Sequence, residues 1–310
     1  ARRTGSAEAP RRATLPPEVA RSSPDDKALE KQLSSVNLSK PIQRMPVNPA
    51  PNPVLSATLV RAGRSKDHRM LGIAFEGCAC RAAFHTGVAA ALSEGNLTVA
   101  LASGASSGSL CAAAMAANKA AHLPTMWRAL AGRKVISLRR LLWNRSPFDM
   151  SHIVRSAITE NLGSLDLRSA STEALIVATR LRNLSRIVFS SRQEPDLIEP
   201  LMGSCFFPIL YGRPVKVGGE WLLDGGAVDN LPVEILAERG ATEIIAVVTS
   251  SEGTVNKTLL HKRFYPMVHG AKLHIIKPSR PLAVRSWDFD VDRMNYAIDE
   301  GYQQGRAFLR

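Results

Sequence analysis

From Leu71 onward the apolar positions fall into short unbroken runs, separated by glycines and by longer stretches of small residues. Leu71-Gly-Ile-Ala-Phe75 is a five-residue run of the kind a strand buried on both faces requires. A loop from Glu76 to Arg81 follows, and then Ala82 to Glu94 reads as a helix stopped by Gly95. Leu97-Thr-Val-Ala-Leu101 predicts a second buried strand. It leads into the turn Gly104-Ala-Ser-Ser-Gly108 and an alanine-rich helix from Ser109 to about Ala121. Further buried strands are expected at Ala174–Thr179, Ile187–Ser190, Ile244–Val248 and Leu273–Ile276, with an amphipathic helix from about Val291 to Leu309 closing the pattern. Strand, loop, helix, strand, turn, helix is the rhythm of a right-handed α/β fold, so the pattern predicts three α/β/α layers around a mostly parallel sheet. No internal repeat is present.

The first 67 residues behave differently. Nine of the 19 prolines lie between Pro10 and Pro53, among Ser, Arg and Asp, with no sustained apolar period. Such a segment cannot bury enough surface to offset its ordering entropy, so residues 1–67 are expected to form a flexible tail ahead of a single domain at 68–310. The apolar content of 45% includes only 5% aromatics, as in an aliphatic core where helices sit close on a sheet. The net charge of +13 favours anionic partners, either a phospholipid surface or nucleic acid. No nucleic-acid motif accompanies it, so no nucleic-acid partner is expected. The four cysteines, Cys78, Cys80, Cys111 and Cys205, contain a C-x-C but no second pair at zinc spacing, which points to reduced or buried thiols and to no metal or other cofactor. No run approaches the ~20 apolar residues of a membrane span. A cytoplasmic or peripheral-membrane location is therefore expected.

Candidate chemistry sits at three places. Gly104-Ala-Ser106-Ser-Gly108 matches G-x-S-x-G between a strand and a helix, where a sharp turn exposes the serine hydroxyl beside a helix N-terminus. Ser107, one residue on, would point elsewhere. The loop Glu76-Gly77-Cys78-Ala79-Cys80-Arg81 carries small residues whose N–H groups can crowd an anionic oxygen, or simply make a tight βα turn. Asp224 closes an apolar strand and precedes Gly225 and Gly226; partial burial there would raise its pKa and make it a better base. Asp229 lies past the glycines and is expected to cap the following segment.

Together these pieces resemble the patatin-like phospholipase family from about Leu71 to Leu309. The family's Gly-Gly-Gly-x-Arg-Gly loop aligns with Gly77 to Ala82, its Gly-x-Ser-x-Gly elbow with Gly104 to Gly108, and its Asp-Gly-Gly with Asp224 to Gly226, followed by Asn230 and Pro232. Ser204-Cys-Phe-Phe-Pro208 looks like the small-residue segment before its proline turn, and Asp288-Phe-Asp with Gly301-Tyr302 like its closing helix. The resemblance implies a lipid acyl hydrolase, phospholipase A-like, in which Ser106 is the nucleophile and Asp224 its base, working through an acyl-enzyme on phospholipid or acylglycerol esters. It also implies that the N–H groups of Gly77, Cys78 and Ala79 form the oxyanion hole, with Arg81 ordering the loop.

The loop departs from the family at Cys78, Ala79 and Ala82, where glycines are usual. A β-carbon at a position needing positive φ costs roughly 1 kcal/mol. That departure sustains a second expectation, a catalytically impaired scaffold that binds lipid or a protein partner. A third is an ordinary Ser-Asp-His hydrolase drawing on His261, His269 or His274; His274 reads as a strand-edge residue and His85 as packing. The stretch from Met126-Trp127-Arg128 to Arg139-Arg140 and Trp143 interleaves aromatics with arginines, and fits either a membrane interface or a packed helix with a solvated face.

Overall fold

In a computed structural model of the chain, residues 69–130, 150–163, 165–208, 211, 215–256, 258 and 263–310 are described. The tail at 1–67, the segment carrying Arg139, Arg140 and Trp143, and His261 lie outside them. The described residues belong to the compact unit Thr58–Arg310.

Strand β1 (Leu71–Phe75) lies at the centre of an eight-stranded sheet, between β2 (Leu101–Ala105) and β7 (Glu243–Val247), parallel to both. β10 (Lys272–Ile276) continues the parallel run beyond β7, and β3 (Glu173–Arg180) beyond β2. Three antiparallel pairings complete the sheet: β4 (Arg186–Ser190) and β6 (Glu220–Leu223) on β3, and β5 (Val215–Val217) on β6. A separate two-stranded ribbon joins β8 (Val255–Asn256) to β9 (Arg263–Phe264).

Successive side chains of a strand point to opposite faces, and two buried clusters divide on that basis. Ile73, Phe75, Ala102, Ile176, Ile245 and Val247 face one way. They pack under α1 (Ala83–Glu94), α2 (Ser107–Ala116), α3 (Leu123–Leu130), α4 (Met150–Asn161), α5 (Ile198–Ser204) and α7 (Val291–Phe308). Ala74, Leu175, Ile244 and Ala246 face the other way, against Ile235 and Leu236 of the short helix α6 (Glu234–Glu238). The result is the expected three-layer α/β/α architecture with a mostly parallel sheet. Helices α1 and α7 cross with their backbones nearly touching: a β-carbon on Gly87 would lie 2.0 Å from the Ile298 carbonyl oxygen, and one on Gly301 2.0 Å from that of Phe84.

Two elements differ from the sequence expectation. The second strand is Leu101–Ala105, not Leu97–Leu101. Residues 97–99 belong to the connection, whose Val99 carbonyl accepts from Thr172 Oγ1 at 2.7 Å. The true strand, Leu-Ala-Ser-Gly-Ala, is poor in the large apolar residues that mark a strand, because it is squeezed between β1 and β3. The following helix starts earlier, at Ser107, and ends at Ala116; Asn118 takes φ 54° and a 3-10 turn at Ala120–His122 redirects the chain into α3. A smaller shift moves the start of α1 to Ala83, since Ala79–Ala82 form a 3-10 turn of their own.

Candidate active site

The sheet register explains how residues far apart in sequence meet. β2 pairs with β3 at Glu173–Val177, while β4 covers the other side of β3 at Leu175–Thr179. Thr179 pairs with both Arg186 of β4 and Leu223 of β6, so β6 lies on the β2 side, end to end with it and running the opposite way. β2 therefore runs out into Ser106 where β6 runs out into Asp224. The Ser106 hydroxyl donates to Asp224 Oδ2 at 2.6 Å.

Ser106 stands at φ 52°, ψ −131°, a region that costs an L-residue ~1–3 kcal/mol and persists only where its surroundings enforce it. Three contacts do so. Its N–H donates to Ser204 Oγ at 2.9 Å, and its carbonyl accepts from Ser109 N at 2.9 Å and Ser109 Oγ at 2.5 Å. Small flanks are obligatory: a β-carbon on Gly104 would come within 2.3 Å of the Gly108 oxygen, and one on Gly108 within 2.4 Å of the Phe75 oxygen. The elbow is thus wedged between the ends of β1 and α2.

Asp224 is fixed equally tightly. Its N–H donates to the Phe206 oxygen at 2.8 Å, its carbonyl accepts from Thr179 Oγ1 at 2.8 Å, and its Oδ1 accepts from Gly226 N at 2.8 Å. Gly225 has no room for a side chain, which would lie 2.1 Å from the Val177 oxygen. Burial pushes the Asp224 carboxyl up to about 6, against the opposing pull of the Ser106 hydroxyl and Gly226 N–H. Asp229 pairs with Arg186 at 2.9 Å, and the Asp224 side chain caps the 3-10 turn Gly225–Ala227.

In the glycine-poor loop, Ala79 takes φ 50° and Cys78 an extended φ of −153°. The left-handed strain therefore falls on Ala79 alone of the two. The Gly77 N–H donates to the Asn230 oxygen at 2.9 Å and the Cys78 N–H to Ser107 Oγ at 3.2 Å. Among the described residues the Ala79 N–H finds no acceptor. Ser107 thus points away from Asp224, as expected. Arg81 lies 3.9 Å from Glu76, a buried carboxyl that accepts from Thr249 N at 2.8 Å and Thr249 Oγ1 at 2.9 Å. Burial raises the Glu76 pKa, and Arg81 and Thr249 pull it back.

The remaining candidates stand apart. His85 packs against the rings of Phe75 and Phe84, and burial pushes its pKa down to about 3, so it is neutral. His274 lies on the edge strand and binds Glu243 at 2.9 Å, while His269 is exposed. Trp127 is buried and donates from Nε1 to the Cys80 oxygen at 3.4 Å, so this part of the basic-aromatic stretch packs as a helix. All four cysteines are free and buried. Among the described residues no three His, Cys, Asp or Glu side chains converge as metal ligands, and no helix is long and apolar enough to cross a membrane.

Two residues gain parts that sequence reasoning did not give them. Ser204 bridges the elbow to β3 by donating to the Val177 oxygen at 2.6 Å, and Asn230 sits between the two glycine motifs, its Oδ1 2.6 Å from where a β-carbon on Gly77 or Gly226 would lie. Their only signal was membership of short segments beside the motifs.

Above the pair, a cavity of about 190 Å³ is lined by Gly77, Cys78, Ala79, Ser106, Asp224 and Trp287. Beneath it an apolar chamber reaches inward from Ser106 past Leu110, Trp127, Leu130, Val154 and Met294. A serine on a strained strand-to-helix elbow, bonded to a half-buried carboxylate at the mouth of an apolar chamber, defines the class: a three-layer α/β protein with a G-x-S-x-G elbow between strand and helix. The patatin-like phospholipase family model matches residues 73–237, more than half of the chain, and the chain belongs to that family. It is 28% identical over 203 residues to lysophospholipase NTE1 of Debaryomyces hansenii, covering 62% of this chain but only 12% of that relative. VipD from Legionella pneumophila, a solved structure, aligns with a TM-score of 0.47 at 14% identity, over 78% of this chain and 66% of its own.

Proposed function

We propose that the protein hydrolyses carboxylic esters of lipids through a Ser106–Asp224 dyad and an acyl-enzyme. The observation that carries this reading is the 2.6 Å hydrogen bond from the Ser106 hydroxyl to an Asp224 carboxylate whose pKa is raised to about 6. Family membership and the lysophospholipase relative support it at the level of lipid-ester hydrolysis.

In this reading the apolar chamber takes the acyl chain, and the ester carbonyl lies over Ser106. Ser106 Oγ attacks the carbonyl carbon as Asp224 Oδ2 takes the hydroxyl proton. The oxyanion receives the Ala79 N–H, joined by the Cys78 N–H once it leaves Ser107 Oγ. Collapse expels the alcohol, which takes the proton from Asp224. Water then enters, gives its proton to Asp224 and attacks the acyl-enzyme, releasing the fatty acid and returning the proton to Ser106. Arg81, through Glu76 and Thr249, holds the loop against the end of β7.

The engaged Gly77 and Cys78 N–H groups are the observation on the side of a second reading, a lipid-binding scaffold without turnover, since losing one oxyanion donor costs ~10²–10³ in rate. One experiment separates the two: fluorophosphonate labelling of wild type and Ser106→Ala, alongside turnover of short and long acyl esters. Labelling and turnover that both vanish in Ser106→Ala support the hydrolase. A wild type that neither labels nor hydrolyses any ester leaves the scaffold.

A further inference from the structure

Ser107 turns away from Asp224 and takes hold of the glycine-poor loop instead. Its Oγ accepts from the Cys78 N–H at 3.2 Å. Cys78 and Ala79 both line the cavity above Ser106, so their N–H groups are the loop donors within reach of a reacting carbonyl. Of the two, only that of Ala79 lacks an acceptor among the described residues.

The side chain of Cys78 tightens this arrangement. Its Sγ lies 3.8 Å from Ser107 Oγ on one side and 3.8 Å from His85 Nδ1 on the other. Cys78, His85 and Ser107 are all buried, so water does not compete for these contacts. Burial pushes the Cys78 thiol well above its ordinary value and the His85 ring down to about 3, so both groups are neutral. A serine hydroxyl that accepts the N–H through one lone pair keeps its own proton for the sulfur, a weak acceptor. A glycine at position 78 has no sulfur to offer, so this hold on Ser107 belongs to the residue by which the chain departs from its family.

An N–H aimed at Ser107 is withdrawn from an oxyanion above Ser106. One oxyanion donor is worth ~10²–10³ in rate, whereas a neutral hydrogen bond nets a factor of about threefold to tenfold. The oxyanion therefore wins the donor in the transition state, but each turnover must first break the Ser107 bond. We propose that Ser107 and Cys78 are positioning residues that lock the second oxyanion donor in the resting enzyme, so that the lock slows the reaction and its removal speeds it. This inference rests on the hydrolase reading above and deepens it.

Ser107→Ala keeps a small residue behind the elbow and frees the Cys78 N–H. With para-nitrophenyl butyrate, kcat is expected to rise about threefold to tenfold with KM little changed, because the freed donor acts on charge that develops only in the transition state. Phosphonylation by a fluorophosphonate, whose P=O oxygen takes the same donors, is expected to quicken by the same factor. The melting temperature is expected to fall by about 2–10 °C, since a buried donor has lost its acceptor. A residue that only packs lowers both quantities or changes neither; a lock moves them in opposite directions. Cys78→Ala, which keeps the N–H and removes the sulfur, is expected to give a smaller rise of about twofold.

An active wild type with kcat and labelling rate no higher in folded Ser107→Ala overturns the lock and leaves the hydrolase reading standing. If Ser107→Ala does not fold, Cys78→Ala decides, and unchanged rates there overturn the lock. An inert wild type beside a Ser107→Ala that labels at Ser106 and turns over sustains both readings. Inertness of wild type and both variants towards every ester and probe overturns both.

Discussion

Ser204→Ala tests whether the elbow is held in its strained conformation from outside. The Ser204 hydroxyl is fully buried and makes two bonds, donating to the Val177 oxygen at 2.6 Å and accepting from the Ser106 N–H at 2.9 Å. Alanine fits the space and strands both backbone groups. Each buried unpaired group costs ~1–3 kcal/mol, so the variant is expected to lose roughly 2–5 kcal/mol. For a domain of this size that lowers the melting temperature by about 5–15 °C. The Ser106 N–H is one of three anchors opposing a backbone strain of ~1–3 kcal/mol, so its release lets the hydroxyl drift from Asp224. A displacement of that kind costs about a hundredfold in kcat with little change in KM. Urea denaturation read by circular dichroism, with ester turnover on the same preparations, measures both. A stability loss below ~0.5 kcal/mol with unchanged kcat would refute the reasoning and make Ser204 a filler residue.

The other predictions follow from single groups. With Asp224 as the proposed base, active only when ionised, kcat/KM is expected to rise tenfold per pH unit and level off above about 6; a profile flat from pH 4 to 8 excludes Asp224 as base. Burial raises the folded-state pKa from 3.8 to about 6, so the ionisation penalty is absent at low pH and grows to ~3 kcal/mol as pH rises through that window. Asp224→Asn removes the penalty and keeps the Gly226 bond. It is therefore expected to abolish turnover while raising stability at pH 8 by ~1–3 kcal/mol, and a lower denaturation midpoint than wild type at that pH counts against this. Ala79→Gly relieves the left-handed strain, worth ~1–2 kcal/mol, and adds unfolded-state entropy worth ~0.5–1, leaving a net gain of at most about 1.5 kcal/mol; a fall in urea midpoint contradicts it.

What was legible in the sequence was whatever leaves a local mark. β1, β3, β4, β7 and β10 were placed within about a residue: β1, β3 and β7 because strands buried on both faces must be aliphatic, β4 and β10 because each still carries a short apolar run. Gly104 and Gly108 announced the elbow because their neighbours leave no room for a β-carbon. β2 was misplaced by four residues for the converse reason: its Ala, Ser and Gly positions are set by closeness to β1 and β3, and no hydrophobic signal marks closeness. The Gly218-Gly219 turn that makes β5 and β6 a hairpin was not read either, though both glycines have positive φ. Ser204 and Asn230 were invisible as supports, since Ser204 acts on Ser106 and Asn230 on Gly77, roughly a hundred positions away or more, and a hydroxyl or amide carries no address.

Because the serine and its carboxylate lie 118 positions apart and meet only through β3, the pair has no existence in a partly made chain. During synthesis the elbow emerges first, with nothing to accept its proton. β6 must be completed, fold back and find the free edge of β3 beyond the end of β2 before the hydroxyl has its partner. The order of the strands along the chain thus acts as a delay, withholding the Ser106–Asp224 contact until most of the sheet has left the ribosome.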